Sequence, residues 1–203
     1  MTILIIGKSS HLCEAISLAY PDHEIKTITW RGLAGETTQA CVDLIFVVGF
    51  DYGSYMKPYE DYMNVNVTQP ILAVQRFAKP TTAIVYVATQ NGRKTFTFSR
   101  YRYAKEKLGH ALAHQLPHAY VLRFDTFATS NHEPLVKGGA ATRLIFSCLV
   151  KLGVIKTVDM LTVRERLKDH QIHASHDLPA IQGFFMAIPR PQFVDRLMRL
   201  FIA

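Results

Sequence analysis

The chain has 203 residues, of which 49% are hydrophobic and 19% charged, and its formal net charge is +7. That balance suits one globular domain and excludes a disordered or low-complexity chain. The basic residues are scattered without a run of five or six, which argues against a nucleic-acid tail and leaves a membrane surface or an anionic small ligand, such as a phosphorylated cofactor.

The opening MTILIIG is too short for a signal peptide, and ILIIG (3–7) reads as a strand apolar on both faces. KSSHLCEAISLAY follows, with Leu12, Ala15, Ile16 and Ala19 at helical spacing and Ser9 or Ser10 as its cap. EIKTITW (24–30) alternates like a strand, and LIFVVGF (44–50) is a second wholly apolar one. A helix is expected from Tyr59 to Ala78, broken near Pro70, then a strand AIVYVAT (83–89). SRYRYAKEKLGHALAHQ (99–115) predicts a strong helix, and AYVLRFD (119–125) a further strand. Beyond residue 126 the pattern weakens. Residues 141–155 read as an apolar helix, 162–170 as a helix capped by Thr162 with Glu165 completing a capping box, and QFVDRLMRLFIA as an amphipathic helix at the end. No segment has the length of a membrane span.

Strands alternating with helices imply a parallel sheet with right-handed crossovers. The fold class expected is α/β, a Rossmann-like doubly wound sheet in a single domain. The first 127 residues carry the motifs and 128–203 form a C-terminal helical, substrate-side region. Ligands of such sheets sit at the carboxyl ends of the strands. Those ends carry Gly7 to Ser10, Trp30 and Arg31, Gly49 to Asp51, Thr89 to Asn91, and Phe124 to Thr126.

The helix at 99–115 holds two overlapping Tyr-x-x-x-Lys pairs, Tyr101 with Lys105 and Tyr103 with Lys107. At about 100° per residue, Tyr101 falls in the apolar stripe of Ala104, Leu108, Ala111 and Leu112, with Lys105 on its border. Tyr103, Lys107, His110 and His114 fall on the opposite face, towards solvent or a subunit. Four residues bring the members of each pair together on one face. A free tyrosine, with a pKa of roughly 10, is a poor acid–base group at neutral pH. A neighbouring ammonium favours the phenolate and lowers that value. The tyrosine can then give a proton to a carbonyl oxygen. The spacing alone is common in helices and carries little weight without its context.

That context resembles the short-chain dehydrogenase/reductase family over about residues 1–127. GKSSHLCEAI resembles the glycine-rich cofactor turn, and LIFVVGF the fourth strand with its loop. NVNVTQP (64–70) places Asn66 at the family's asparagine, VYVAT places Thr89 at its serine or threonine, and YRYAK supplies its Tyr-x-x-x-Lys. ILIIGK and VLRFDTF are similar to the nucleotide-sugar branch, which includes the dTDP-4-dehydrorhamnose reductases. The resemblance implies Tyr101 as general acid or base and Lys105 as the group that tunes it and holds the nicotinamide ribose. It implies Thr89 orienting the substrate oxygen and Asn66 supporting a proton-relay water. Gly7, Lys8, Ser9, Ser10, Leu12 and Gly49 would contact the cofactor. Lys8 and Arg31 would favour NADP through its 2′-phosphate, unless they are two surface cations of a basic protein. A cytoplasmic homodimer, joined through the helices around 60–78 and 99–115, is the implied assembly.

Four departures stand beside the resemblance. Only Gly7 remains of the three turn glycines, with His11 and Cys13 in the other places, where His11 would crowd a pyrophosphate and Cys13 would push the helix outward. Thirteen residues (31–43) replace a helix, a strand and a helix, shortening the region between the family's second and fourth strands. Gln69 and Phe124 replace a glycine and a proline, and the region after 127 is short. A fold that has lost catalysis and serves as a partner subunit is the rival reading. Cys13, Cys41 and Cys148 have no metal-like spacing and fit a reducing compartment. His110, His114 and His118 suggest a solvated face, and His170, His173 and His176 a polar loop; no metal is expected. Asp51 and Tyr52 read equally as pocket lining or as a simple turn.

Overall fold

ILII (3–6) and LIFV (44–47) have no polar face, and the structure covers both faces of each. This is a computed structural model. It describes residues 1–29, 42–89, 96–97, 99–129, 131, 133–136, 140–170 and 182–183. The elements run β1 (Thr2–Ile6), α1 (Ser10–Ala19), β2 (Glu24–Ile28), β3 (Leu44–Val47), α2 (Tyr59–Met63), a π-helical turn (Asn64–Thr68), α3 (Gln69–Phe77), β4 (Ala83–Thr89), β5 (Phe96–Thr97), α4 (Arg100–Gln115), β6 (Ala119–Phe124), β7 (Thr126–Ala128), α5 (Ala140–Lys151), β8 (Thr157–Asp159), α6 (Met160–Lys168) and β9 (Gln182–Gly183).

Five strands form one sheet in the order β2-β1-β3-β4-β6, and every pair is parallel. One face of β1, β3 and β4 meets α3 and α4. There Leu4, Ile6, Ile45, Val47 and Tyr86 pack against Ala73, Val74, Leu108 and Leu112. The alternate residues Ile3, Ile5, Phe46 and Val85 meet Leu12, Ile16, Val163 and Leu167 of α1 and α6. Helices on both faces make the sheet doubly wound, as the apolar runs predict. Each fully buried isoleucine in these layers contributes about 1.5–3 kcal/mol relative to exposure. The chain leaves β1 towards β2 and leaves β3 in the opposite direction towards β4, so a crevice opens between the carboxyl ends of β1 and β3. Among the described residues no strand pairs with the outer edge of β2. The shortened stretch expected there lies mostly outside the described residues, as do Trp30 and Arg31.

Several local expectations shift. The predicted break near Pro70 is a π-helical turn placed just before it, in which the Gln69 N–H donates to the Asn64 carbonyl five residues back. Proline has no N–H to donate, and it sits in the first turn of α3, where that loss is tolerated. The helix expected from Thr162 begins earlier, at Met160, and its cap is Asp159. The Asp159 carboxylate accepts from both the Thr162 N–H and the Thr162 hydroxyl, each at 2.9 Å. A carboxylate at the helix start gains from the dipole as well as from the bonds, so it displaces the threonine from the capping role. α5 stops at Lys151 rather than 155, where Gly153 takes a φ of +69° and turns the chain. Its outer side exposes Leu144 and Ile145. The closing helix expected at 192–203 lies outside the described residues.

Candidate functional site

At the carboxyl ends of β1, β3, β4 and β6 lies a cleft of about 950 Å3. Its size is at the upper end of the usual range for ligand pockets, roughly 300–1,000 Å3. One wall is the turn after β1, with Lys8, Ser9, His11 and Leu12. Gly7 takes a φ of +108° to make that turn. Gly49 (φ +86°) carries the chain out of β3 so close to the turn that a Cβ there would lie 3.2 Å from the Lys8 nitrogen. A residue larger than glycine at 49 would clash with backbone in a conformation that already disfavours side chains. The N-terminus of α1 opens on this wall, and the side chain of its cap, Ser9, makes no capping hydrogen bond. First-turn N–H groups of this kind suit an anion. His11 is exposed at the cleft edge, while Cys13 is half-buried against the core beneath α1.

The opposite wall is the start of α4. Ser99 caps it, its hydroxyl accepting from the Arg102 N–H at 3.4 Å. The buried Arg100 guanidinium donates to the Lys57 carbonyl at 3.2 Å, tying α4 to the loop before α2. So fixed, α4 turns Ala104, Leu108 and Leu112 into the core and places Tyr101 and Lys105 on the cleft. The Lys105 ammonium sits 5.7 Å from the Tyr101 ring centroid and also 5.7 Å from that of Tyr86. Phe50 meets the Tyr101 ring edge to face, at 4.6 Å and 75°. Lys105 is 8% exposed, although it lines the cleft.

Behind it, Glu106 and Arg123 form a bidentate ion pair with both N···O distances 2.7 Å. Their side chains are 4% and 12% exposed. Tyr86 donates to the Lys105 carbonyl at 3.0 Å. Its pKa is raised well above the ordinary value, first by burial and then by Tyr101 and Glu106 nearby, so it remains a neutral phenol.

Tyr103 and Lys107 occupy the other side of α4, as the helical wheel predicts. Lys107 is exposed, with its ammonium 5.6 Å from the Tyr103 ring. Tyr103 is half-buried and hydrogen-bonded to Tyr59. Burial and that bond raise the Tyr59 pKa to about 12.

Not every expected residue reaches the cleft wall. Asn66 is 2% exposed, in the π-helical turn. Its Oδ1 accepts from the Asp51 N–H at 2.9 Å, and its Nδ2 donates to the Ser54 hydroxyl at 2.7 Å and the Tyr62 carbonyl at 3.1 Å. These bonds fasten the loop after β3 to the helix below it. Asp51 belongs to that loop as a turn, its carboxylate accepting from the Gly53 N–H at 3.0 Å. Thr89 ends β4; its side chain, and those of Ser10 and Tyr52, lie outside the described residues, as does Asn91. His110 and His114 stack with ring centroids 4.1 Å apart on the outer side of α4. His173 and His176 are outside the described residues, and no cluster of three metal-ligating groups occurs among the described ones. His170 is buried between the Phe46 and Tyr120 rings, not in a polar loop.

The sequence reading placed Phe50 at a strand end without its contact to Tyr101, and it missed Tyr86 and the far rim formed by Phe127, Glu133, Arg143 and Phe146. A signal for Tyr86 was present, since alternation along β4 puts Ile84, Tyr86 and Ala88 on the face that α4 covers. A smaller hollow of about 240 Å3, lined by Pro80, Thr82 and Leu116 among others, lies at the other end of the sheet, away from these groups.

No family model matches the sequence, and no curated protein matches it. Solved structures do match in three dimensions. The ADP-L-glycero-D-manno-heptose-6-epimerase of Helicobacter pylori is similar with a TM-score of 0.57 at 13% identity, over 90% of this chain and 76% of that one. A short-chain dehydrogenase/reductase superfamily protein from Agrobacterium tumefaciens, with bound NAD, gives 0.57 at 10% identity, over 91% and 77%. A GDP-L-fucose synthetase from Naegleria fowleri, bound to NADP, gives 0.54 at 10% identity, over 90% and 71%. The fold is therefore a Rossmann-like α/β fold shared with these structures, and the chain spans about three quarters of the length of the first two of them. Among the described residues no helix is long and apolar enough to cross a membrane.

Proposed function

We propose that this protein is a nicotinamide-dependent reductase or dehydrogenase of the short-chain type, acting on the carbonyl or hydroxyl of a small polar substrate, with a sugar nucleotide as the leading candidate. The observation that carries this reading is the meeting of Tyr101 and Lys105 with the N-terminus of α1 and with Gly49 around one cleft. The fold relatives with bound NAD and NADP support it.

The residues present fit the nicotinamide and phosphate portion of such a cofactor. Gly7 and Gly49 keep side chains off the floor, Ser9 and the first turn of α1 face a phosphate, and Lys105 can reach a ribose hydroxyl. Leu12 and Val87 supply apolar lining. When bound, the reduced cofactor supplies hydride to the substrate carbon. Tyr101 gives its proton to the carbonyl oxygen. The Lys105 ammonium then stabilises the phenolate left on Tyr101. Phe50 limits rotation of the Tyr101 ring, so the hydroxyl is presented in one direction. Thr89 is assigned to orient the substrate oxygen. Asn66 acts through the loop it fastens. NADP is the preferred cofactor, with Lys8 and Arg31 on its 2′-phosphate, and a homodimer through α2, α3 and α4 is the proposed assembly.

The test is a titration of the purified protein with NADPH and with NADH, followed by protein fluorescence and calorimetry. Saturable NADPH binding that Lys8→Ala and Arg31→Ala weaken, with NADH less affected, is the expected result. Absence of binding by either dinucleotide at millimolar concentration would reject the oxidoreductase and leave the partner-subunit reading.

A further inference from the structure

A buried ammonium must be compensated, because taking a charge out of water is costly. Two aromatic rings are among the groups that surround the Lys105 ammonium. Tyr101 lies on the cleft side at 5.7 Å and Tyr86 on the core side, also at 5.7 Å. Both distances are within the roughly 6 Å over which a ring face attracts a cation. Tyr86 is 1% exposed and is fixed at its far end by the hydrogen bond from its hydroxyl to the Lys105 carbonyl, so ring and lysine belong to one rigid unit. The other charges around Tyr86 are Glu106 and Arg123, and these two satisfy one another in the bidentate pair.

We propose that Tyr86 is a positioning residue of the acid–base pair: its ring holds the Lys105 ammonium charged and directed at Tyr101. This rests on reading Tyr101 as the proton donor. The hydroxyl of Tyr86 fixes the ring, but the π face does the holding. Without that face, the ammonium loses a contact that holds it beside Tyr101, and Tyr101 loses part of the positive charge that favours its phenolate. The neutral state imposed on Tyr86 by burial keeps it from competing for the proton.

The experiment is a pH titration of the full chain labelled with 13Cζ-tyrosine, followed by NMR, with the Tyr101 signal assigned from Tyr101→Phe. It needs neither cofactor nor substrate. Lys105→Met is the control for the pair itself: Tyr101 is expected to titrate at higher pH than in the parent. If it does not, the acid–base reading of the site fails. With that control positive, Tyr86→Leu and Tyr86→Met are expected to raise the Tyr101 pKa by about one unit, a tenfold loss of phenolate at fixed pH. Tyr86→Phe keeps the ring and is expected to leave Tyr101 within a few tenths of the parent. Melting curves establish which variants are folded. Methionine fills space flexibly and lacks a π face, so it serves if the leucine variant does not fold. An unchanged Tyr101 titration in a folded Tyr86→Leu or Tyr86→Met protein would overturn the proposal while leaving the Lys105 result standing. An equal shift in Tyr86→Phe would also overturn it, by assigning the effect to the hydroxyl.

Discussion

The two tyrosine–lysine pairs of α4 share a spacing, a helix turn and nearly one geometry, with ammonium to ring distances of 5.7 and 5.6 Å. Their surroundings divide them. Lys105 is buried between two rings at a cleft, whereas Lys107 is exposed and its charge is screened by water. Tyr101 stands beside that buried cation on the cleft. Tyr103 is hydrogen-bonded to Tyr59, an arrangement that favours keeping the proton on Tyr59. A sequence motif thus fixes a distance, but burial decides what the distance is worth.

The largest expected effect breaks this comparison at its reactive end. Once a carbonyl substrate is found, Tyr101→Phe is expected to lower turnover by about 10²–10⁴-fold. NADPH affinity in the same calorimetric titration should stay near the parent value. Tyr103→Phe should leave turnover within about twofold, and a comparable loss in both variants would mean that the pairs had been wrongly distinguished. A second contrast concerns stability. Glu106, one residue from Lys105, is buried in its ion pair with Arg123, so Glu106→Ala removes the bidentate acceptor of a guanidinium that is only 12% exposed. That change is expected to cost about 3–5 kcal/mol in denaturant unfolding. Lys107→Ala, on the exposed side, should stay within about 0.5 kcal/mol.

The smallest effect sharpens the outer pair. Because the folded-state pKa of Tyr59 is raised to about 12, its contribution to stability is complete below the ordinary tyrosine value near 10 and fades as pH rises through about 12. Burial is the main cause and the Tyr103 bond the second. Tyr103→Phe is therefore expected to move the Tyr59 titration down only part of the way towards 10. Tyrosinate absorbance reads the change, and an unmoved curve would place the whole effect in burial.

Much of the fold is legible in the sequence for a simple reason. Strands buried on both faces need uninterrupted apolar runs, and ILII, LIFV, AIVYVA and AYVL supply them. The α4 wheel also separates its two sides correctly, since helical periodicity is local. What the sequence conceals is which distant residues a parallel sheet brings together. Phe50 touches Tyr101 across some fifty positions of chain, and Tyr86 underlies Lys105 only because α4 crosses β4 at that register. Asn66 shows a different limit. Its place in the motif is visible, but its two hydrogen bonds to the loop after β3 and a third to α2 depend on a π-helical turn that no periodicity announces. The Asp159 cap was overlooked because Thr162 with Glu165 makes an equally good local pattern three residues later.

The strand order also bears on how the protein comes into being. β1 lies between β2 and β3, and Ile3 pairs with Leu44, forty-one residues further on. At about 5–20 residues per second of synthesis, roughly 2–8 seconds separate the making of these two strands. Throughout that interval Ile3, Leu4, Ile5 and Ile6 have no inner neighbour, and a run so apolar adheres readily to another chain. Yield in a cell should therefore depend on translation speed and on chaperones that shield nascent chains, even for variants whose finished fold is as stable as the parent's.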